Sequence, residues 1–183
     1  MSPSISEPNN NILTLQLGHI AIQIAARGMG MRVIGIDYPG KKDLIKECGA
    51  EVYINHGDGN AEEVKKATGG LGAQAVLVLI AANGAYASAM GLLHYGGTLV
   101  AVALAEGELK PIATAFPSTM VAKAQSIVGV AVGDRKDTVE TLEFAERDIL
   151  KTHFRLAKMD ELTSLFEEMK SQTLKGRVVL DLS

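Results

Sequence analysis

Polar side chains that could transfer protons follow the apolar runs of this sequence. Asn83, Tyr86, Glu106, Asp134 and Arg135 all come just after such runs. If the runs are parallel strands, these acids, hydrogen-bond donors and a candidate base share one cleft at the carboxyl edge of a sheet. Such a set is sufficient for general acid–base catalysis on a small molecule but does not specify a reaction. The alternative is that they cap helices, which is the interpretation we favour for Asp134 and Asn83.

No pattern in the sequence indicates metal binding or nucleophilic catalysis. The four histidines, His19, His56, His94 and His153, are scattered, without i, i+4 spacing or a nearby cysteine. Cys48 is the only cysteine, and its place in an apolar helical pattern is typical of a core residue. A Gly-x-Ser-x-Gly elbow is also absent. We therefore expect no metal site.

Strand-length apolar runs alternate with helical stretches, which predicts parallel βαβ units. The predicted strands are Arg32–Asp37, Val52–Ile54, Ala75–Ile80, Gly97–Ala103, Ser126–Val132 and, after a change of pattern, Arg177–Leu182. The predicted helices are Lys41–Cys48, Ala61–Ala67, Ala85–Leu93, Asp137–Leu150 and Met159–Met169. In the Asp137–Leu150 helix, Leu142, Ala145 and Ile149 share one apolar face, which we expect to point inward. Apolar strands of this kind are covered by helices on both faces. The prediction is an α/β fold with a doubly wound, Rossmann-like parallel sheet, forming a single domain over residues 12–183 after a disordered tail of residues 1–11.

Composition limits the classes of function. The 183 residues are 47% hydrophobic and 21% charged, as in globular proteins, and the net charge is −3. The sequence has no basic block of the kind that binds nucleic acid, and no apolar run reaches the length of a membrane span. The polar N-terminus does not resemble a secretory signal, and a lone cysteine suits a reducing compartment, so we expect a cytoplasmic protein.

Several stretches resemble the zinc-dependent alcohol dehydrogenases of the medium-chain superfamily. They are LGHIAIQIAARGMGMRVIGID (17–37), VAVALAEGELKP (100–111), GVAVGDRKDTVETLEFAER (129–147) and KGRVVLDLS (175–183). The resemblance runs from Leu17 to the last residue, with the motifs in the family's order and spacing. It covers the nucleotide-binding half of that family, while the half that carries the catalytic zinc ligands has no counterpart here.

The resemblance implies roles for individual residues. Asp37 corresponds to the acid that binds the adenosine ribose, where a carboxylate accepts two hydrogen bonds and repels a 2′-phosphate. Lys42 matches a lysine that reaches the same ribose, and Arg177 an arginine near the pyrophosphate. Residues 102–104 and 130–132 match strand ends beside the nicotinamide. The plainer interpretation of Asp37 is a solvated strand-end acid or a helix cap.

One departure from the family concerns the glycine-rich turn G-x-G-x-x-G, which binds pyrophosphate through backbone amides. Gly18 takes the third glycine position, but Leu13 and Leu15 stand at the first two. Leucine resists the tight turn and its side chain points where phosphates lie. We therefore expect no cofactor, or NAD bound only weakly. His19, at the start of the following helix, would face the same cleft and is a further catalytic candidate.

The strand that precedes this turn in the family is also missing. The economical solution is that residues 11–16 fill the central position of the sheet and lead almost directly into the helix at Gly18. A shifted register, with residues 9–11 forming the turn, is the alternative.

Several functions follow as hypotheses. The first is a repurposed enzyme that has lost zinc-dependent alcohol oxidation and uses the former cofactor cleft for non-redox chemistry on a small molecule, as an isomerase, cyclase or lyase. The others are an NAD(H)-binding oxidoreductase, a non-catalytic partner-binding subunit and an incomplete product without function. We expect a homodimer, because the family pairs through the sheet edge, here residues 126–132. The missing half would also leave apolar residues exposed, namely Leu156, Leu162, Phe166, Val178 and Leu180.

Overall fold

A six-stranded parallel sheet forms the centre of the fold. The structure, a computed structural model, describes residues 10–13, 17–57, 59–105, 107–171 and 173–183. The strands are β1 (Asn10–Leu13), β2 (Arg32–Asp37), β3 (Val52–Asn55), β4 (Ala73–Val78), β5 (Leu93–Ala101) and β6 (Ser126–Gly129). Their spatial order is β3-β2-β1-β4-β5-β6. This arrangement confirms the predicted doubly wound, Rossmann-like α/β fold.

Helices connect consecutive strands. They are α1 (Gly18–Gln23, continued by a π-helical turn, Ile24–Gly28), α2 (Lys42–Glu47), α3 (Asn60–Ala67), α4 (Asn83–Ala89, followed by a 3₁₀ turn, Met90–Leu92) and α5 (Pro117–Lys123). The sequence pattern did not predict α5. No helix in the described ranges combines the length and apolar character needed to cross a bilayer.

The sheet is buried on both faces, as its apolar strands predicted. On one face Val33 packs with Ile22, Ile45 and Cys48, all of them fully buried. On the other face Ile34 and Ile36 belong to a larger cluster that includes residues of β4, α3 and α4. The position of Cys48 confirms that it is a core residue.

Strand β1 occupies the middle of the sheet. Its residues pair with β2 from Asn10↔Arg32 to Leu13↔Gly35, and with β4 at Asn11↔Ala75 and Ile12↔Val76. The N-terminal segment therefore fills the central position, as predicted, although the strand begins one residue earlier and ends three residues earlier than expected. Residues 10 and 11 of the predicted tail belong to this strand, and residues 1–9 lie outside the described part of the chain.

The C-terminal region forms a smaller unit. Helix α6 (Arg135–Glu146) leads to β7 (Phe154–Lys158), a 3₁₀ turn (Met159–Glu161), α7 (Leu162–Lys170) and β8 (Arg177–Asp181). Strands β7 and β8 pair in parallel as a separate two-stranded sheet. The sequence pattern predicted β8 but not β7.

Some predicted helix faces were wrong. We expected Leu142 and Ala145 to face inward, but both are exposed, and Phe144 is the half-buried residue of that helix. A Cβ placed on Gly28 would lie 2.7 Å from the Phe144 ring, so the glycine permits the contact between α6 and the π-helical turn. Phe166, one of the C-terminal apolar residues expected to be exposed, is 54% exposed.

Gln23 joins the first helix to the C-terminal region. Its side chain is fully buried. Its Nε2 donates to the carbonyl oxygens of His19 and Lys151, each at 2.9 Å, and its Oε1 accepts from the Lys151 amide at 2.9 Å. Two hydrogen bonds therefore connect residues that are 128 positions apart in the chain.

Replacing this residue should destabilise the fold. Gln23→Leu leaves the amide and the carbonyl of Lys151 without their partner, and each unsatisfied group costs about 1–3 kcal/mol. We expect the free energy of unfolding in urea to fall by roughly 2–4 kcal/mol. Gln125→Leu is the matched control, because Gln125 is also buried but its bonds to Leu93 and His94 are long, at 3.5 and 3.4 Å. Equal stability of Gln23→Leu and the wild type would show that these hydrogen bonds contribute nothing.

Candidate functional site

A cavity of about 620 Å³ lies at the carboxyl ends of β2, β3 and β4. Its walls are the ends of these strands and the first turns of α3 and α4, and they are mainly apolar, with Ile36, Val76, Val78 and Leu92 among them. The polar residues among the described lining come from different elements and are Asp37, Tyr38, His56, Asn60, Glu62 and Ser88. An apolar cavity with a few polar groups at this edge of a parallel sheet is the usual form of a small-molecule site.

Asp37 is the buried charge of this cavity. It ends β2 and its side chain is only 6% exposed. Its Oδ1 accepts a hydrogen bond from the Tyr38 amide at 2.7 Å and lies 3.3 Å from Lys41 Nζ. A buried carboxylate requires such compensation. The prediction that Asp37 is a merely solvated strand-end acid does not fit this burial.

The backbone beside Asp37 is fixed by Tyr53. The Tyr53 hydroxyl lies 3.1 Å from the carbonyl oxygens of Asp37 and Tyr38, to which it donates. Burial first, and then the negative charge of Asp37, raise the pKa of Tyr53. The phenol therefore stays protonated at neutral pH and can act as a donor to these carbonyls.

Lys41, rather than Lys42, contacts Asp37. Lys41 is 8% exposed and precedes α2, whereas Lys42 is the first residue of that helix and is exposed. The family resemblance assigned Lys42 to the adenosine ribose and gave no role to Lys41. The signal in the sequence is Pro39-Gly40, because Gly40 has φ +89° and such a turn reverses the chain toward the strand it follows.

A glycine also controls where α2 lies. A Cβ on Gly35 would come within 2.5 Å of Ile45 Cγ2, so the absence of a side chain in β2 allows α2 to pack closely against it. This packing holds Lys41, the residue at the start of α2, beside the end of β2.

The predicted catalytic residues that the structure describes do not line the cavity. His19 is fully buried, and its ring packs edge-on against that of His153, with the centroids 5.9 Å apart. Tyr86 is buried and its hydroxyl donates to the Ala103 carbonyl. Burial raises the pKa of Tyr86 and opposes its use as a base at neutral pH.

Asp134 and Arg135 lie at the start of α6, where Asp134 caps the helix. Asp134 Oδ1 accepts from the amides of Lys136 and Asp137, at 2.7 and 3.0 Å, while Asp137 accepts from the Asp134 amide. This capping box satisfies amides that the first helical turn leaves unpaired. Arg135 is exposed at the next position. Glu106 lies outside the described residues. The structure therefore does not bring the described members of the proposed acid–base set together at one point.

Strand β1 ends at Leu13 and α1 begins at Gly18, which are the predicted positions of the first and third glycines, and residues 14–16 between them lie outside the described part of the chain. Because residues 10 and 11 pair with Arg32 and Val33, the alternative register with a turn at residues 9–11 is wrong. Leu15 lies outside the described residues.

Arg177 belongs to a different surface. It begins β8 and lines a groove of about 250 Å³ with residues of α7, among them Leu165 and Phe166. The two cavities share no lining residue, so the structure does not place Arg177 in the cavity of Asp37. Within the C-terminal apolar set, Leu156 is 64% exposed and Phe166 54%, whereas Leu162, Val178 and Leu180 are half-buried.

The described residues do not fit a zinc ion. No three His, Cys, Asp or Glu side chains among them come together as ligands, whereas a catalytic zinc needs three. Cys48 is in the core, and burial raises the pKa of its thiol to about 11, so the thiolate that binds metals is scarce at neutral pH.

Comparison with known proteins identifies the family to which this chain is similar. Residues 17–147 match the family described as zinc-binding dehydrogenase. The chain is 47% identical over 176 residues to alcohol dehydrogenase 2 of Emericella nidulans, covering 91% of this chain and 48% of that protein. It is 37% identical over 170 residues to an alcohol dehydrogenase of Schizosaccharomyces pombe, with 91% and 47% coverage.

The fold is that of solved dehydrogenases. The alcohol dehydrogenase of the archaeon Aeropyrum pernix superposes with a TM-score of 0.83 at 24% identity, over 94% of this chain and 50% of that one. The chain spans about half the length of the curated relatives it matches. Since the family match extends over most of the chain, from the first helix to the end of α6, the protein belongs to the zinc-binding dehydrogenase family.

Proposed function

We propose that this chain is the nucleotide-binding part of a dehydrogenase and that its cavity holds the adenosine end of NAD. The observation that carries the proposal is the Asp37 carboxylate, buried at the edge of a mainly apolar cavity of about 620 Å³. The family membership supports the same ligand, because dehydrogenases of this fold bind dinucleotides at the carboxyl ends of the strands.

Different residues of the cavity are proposed to contact the adenine ring and the ribose. The apolar walls formed by Ile36, Val78 and Ala85 suit the faces of an adenine ring. The Asp37 carboxylate accepts hydrogen bonds from the ribose hydroxyls, which are donors, and its negative charge disfavours a 2′-phosphate. The cavity is therefore proposed to prefer NAD over NADP.

The pyrophosphate is proposed to be held weakly. In dehydrogenases of this fold, glycines let the backbone approach the phosphates, and amides at the helix N-terminus bind them. Here leucines stand at positions 13 and 15 of the turn that leads to α1. Each charge-assisted hydrogen bond that is lost costs about 1.5–3 kcal/mol, or roughly one to two powers of ten in affinity.

Zinc chemistry is not part of the proposal. The described residues offer no three-ligand set, so we propose that this part of the chain contributes nucleotide binding and not the polarisation of an alcohol. Non-redox chemistry in the same cleft has no converged acid–base set to support it, since Tyr86 and Asp134 have structural partners.

The chain is also proposed to form a homodimer through β6. This strand pairs only with β5 among the described strands, and Val128 and Val130 at this edge are 46% and 47% exposed. An apolar edge strand presents unpaired backbone groups to which a second strand can bind.

Asp37→Asn tests the cofactor proposal. In a calorimetric or NMR titration, the wild type should bind adenosine, ADP and NADH with affinities within roughly tenfold of each other, because the phosphates add little. Asp37→Asn should weaken all three by about tenfold, since it removes a charge-assisted acceptor. Asp43→Asn, an exposed acid on α2, is the control and should bind as the wild type does. Micromolar NADH binding far tighter than that of adenosine would show that the pyrophosphate site works.

Metal analysis tests the zinc prediction. The purified protein should contain substoichiometric zinc after dialysis and should not oxidise ethanol with NAD, because the described residues supply no ligand set. One tightly held zinc per chain, together with alcohol oxidation, would contradict this prediction.

Light scattering tests the dimer. The wild type should have the mass of a dimer at micromolar concentration, and Val128→Lys should shift it to the monomer by placing a charge in the edge contact. Val139→Lys on α6 is the control, since Val139 is similarly exposed, at 49%, but lies outside the edge strand. A monomeric wild type under the same conditions would exclude this interface.

A further inference from the structure

We propose that Lys41 is the positioning residue that fixes the Asp37 carboxylate for reading a ribose 2′-hydroxyl, and that the neighbouring Lys42 has no such role. This inference rests on the proposed adenosine site and names a residue that determines its specificity.

The first argument is the geometry of the pair. Lys41 Nζ lies 3.3 Å from Asp37 Oδ1, and their side chains are 10% and 6% exposed. Both groups are thus removed from water, and a buried carboxylate is stable only where a charged or hydrogen-bonding partner compensates it. Lys41 supplies such a partner and holds the carboxylate in place.

The second argument is the direction from which Lys41 approaches. Asp37 lines the cavity, whereas Lys41 does not. Lys41 Nζ and the Tyr38 amide both contact Oδ1, and of these two residues only Tyr38 lines the cavity. Lys41 therefore acts through Asp37 and does not touch the ligand.

Other charged or titratable groups of this site come from β3, from the segment that follows it and from α3, where Glu62 lines the cavity. Tyr53 donates to the Asp37 carbonyl oxygen, and His56 lines the same cavity beside Tyr38, with the Tyr38 and His56 ring centroids 5.0 Å apart. Lys41 forms an ion pair with the Asp37 carboxylate.

A comparison of adenosine with 2′-deoxyadenosine isolates this role. Both nucleosides are neutral and differ only in the 2′-hydroxyl, so the ratio of their dissociation constants measures how well Asp37 reads that group. The wild type should prefer adenosine by roughly tenfold, the size of a charge-assisted hydrogen bond. In Lys41→Met the ratio should fall to about two or less, because the carboxylate loses the partner that holds it toward the ribose and becomes a weaker acceptor there. Binding of 2′-deoxyadenosine should stay unchanged.

Matched variants separate charge balance from simple loss of structure. Lys65→Met, at an exposed lysine of α3, is the control and should keep the wild-type ratio, and Lys42→Met, which tests the adjacent lysine, should keep it too. Lys41→Met in an Asp37→Asn background should have no further effect on the ratio, because no carboxylate remains to be positioned. Circular dichroism checks the fold, and Lys41→Gln, which retains a neutral donor, replaces Lys41→Met if the latter does not fold and should give an intermediate ratio.

Each outcome decides one of the two proposals. A wild type that binds neither nucleoside overturns the adenosine site and the role of Lys41 with it. Equal binding of both nucleosides by the wild type retains the site but overturns the role of Lys41, as does a wild-type ratio in Lys41→Met. A loss of affinity for both nucleosides in Lys41→Met, with the ratio kept, would show that Lys41 only supports the local structure.

Discussion

The fold depends on filling the middle of the parallel sheet. The inner edges of β2 and β4 each present backbone amides and carbonyls that would be buried without partners if the central position were empty, and every such group costs about 1–3 kcal/mol. Strand β1, at Asn10–Leu13, pairs with both. Through β1 the ends of β2 and β4 come to the same edge, where they form the cavity. The requirement for backbone pairing therefore positions Asp37.

The sequence predicted the sheet well because its strands are apolar on both faces, and such runs differ from the helices between them. It predicted β7 poorly, since the Phe154–Lys158 segment alternates apolar and charged residues and is mostly exposed. The inward face of α6 was wrong for a related reason. Leu142 and Ala145 follow the spacing of a buried face, but no described element covers them, and the helix instead contacts Gly28 through Phe144.

The candidate site was less predictable than the fold. Asp37 could be found because a strand-end acid has a recognisable position, whereas the acid–base candidates were grouped only by coming after strands. That grouping ignores the local hydrogen bonds that these residues make. Asp134 accepts hydrogen bonds from amides of the first turn of α6, and the Tyr86 hydroxyl donates to the Ala103 carbonyl. The choice between Lys41 and Lys42 depends on the turn at Gly40, a difference of one residue that spacing alone does not resolve.

The strand edges of this protein have a practical consequence for handling it in solution. In β8 and β7, charged residues such as Arg155, Lys158, Arg177 and Asp181 oppose the stacking of one molecule on another. Strand β6, with the sequence SIVG, carries no charge at all. Self-association beyond a defined complex should therefore begin at β6, so a concentrated sample is best protected by adding charge to this strand rather than to the C-terminal sheet.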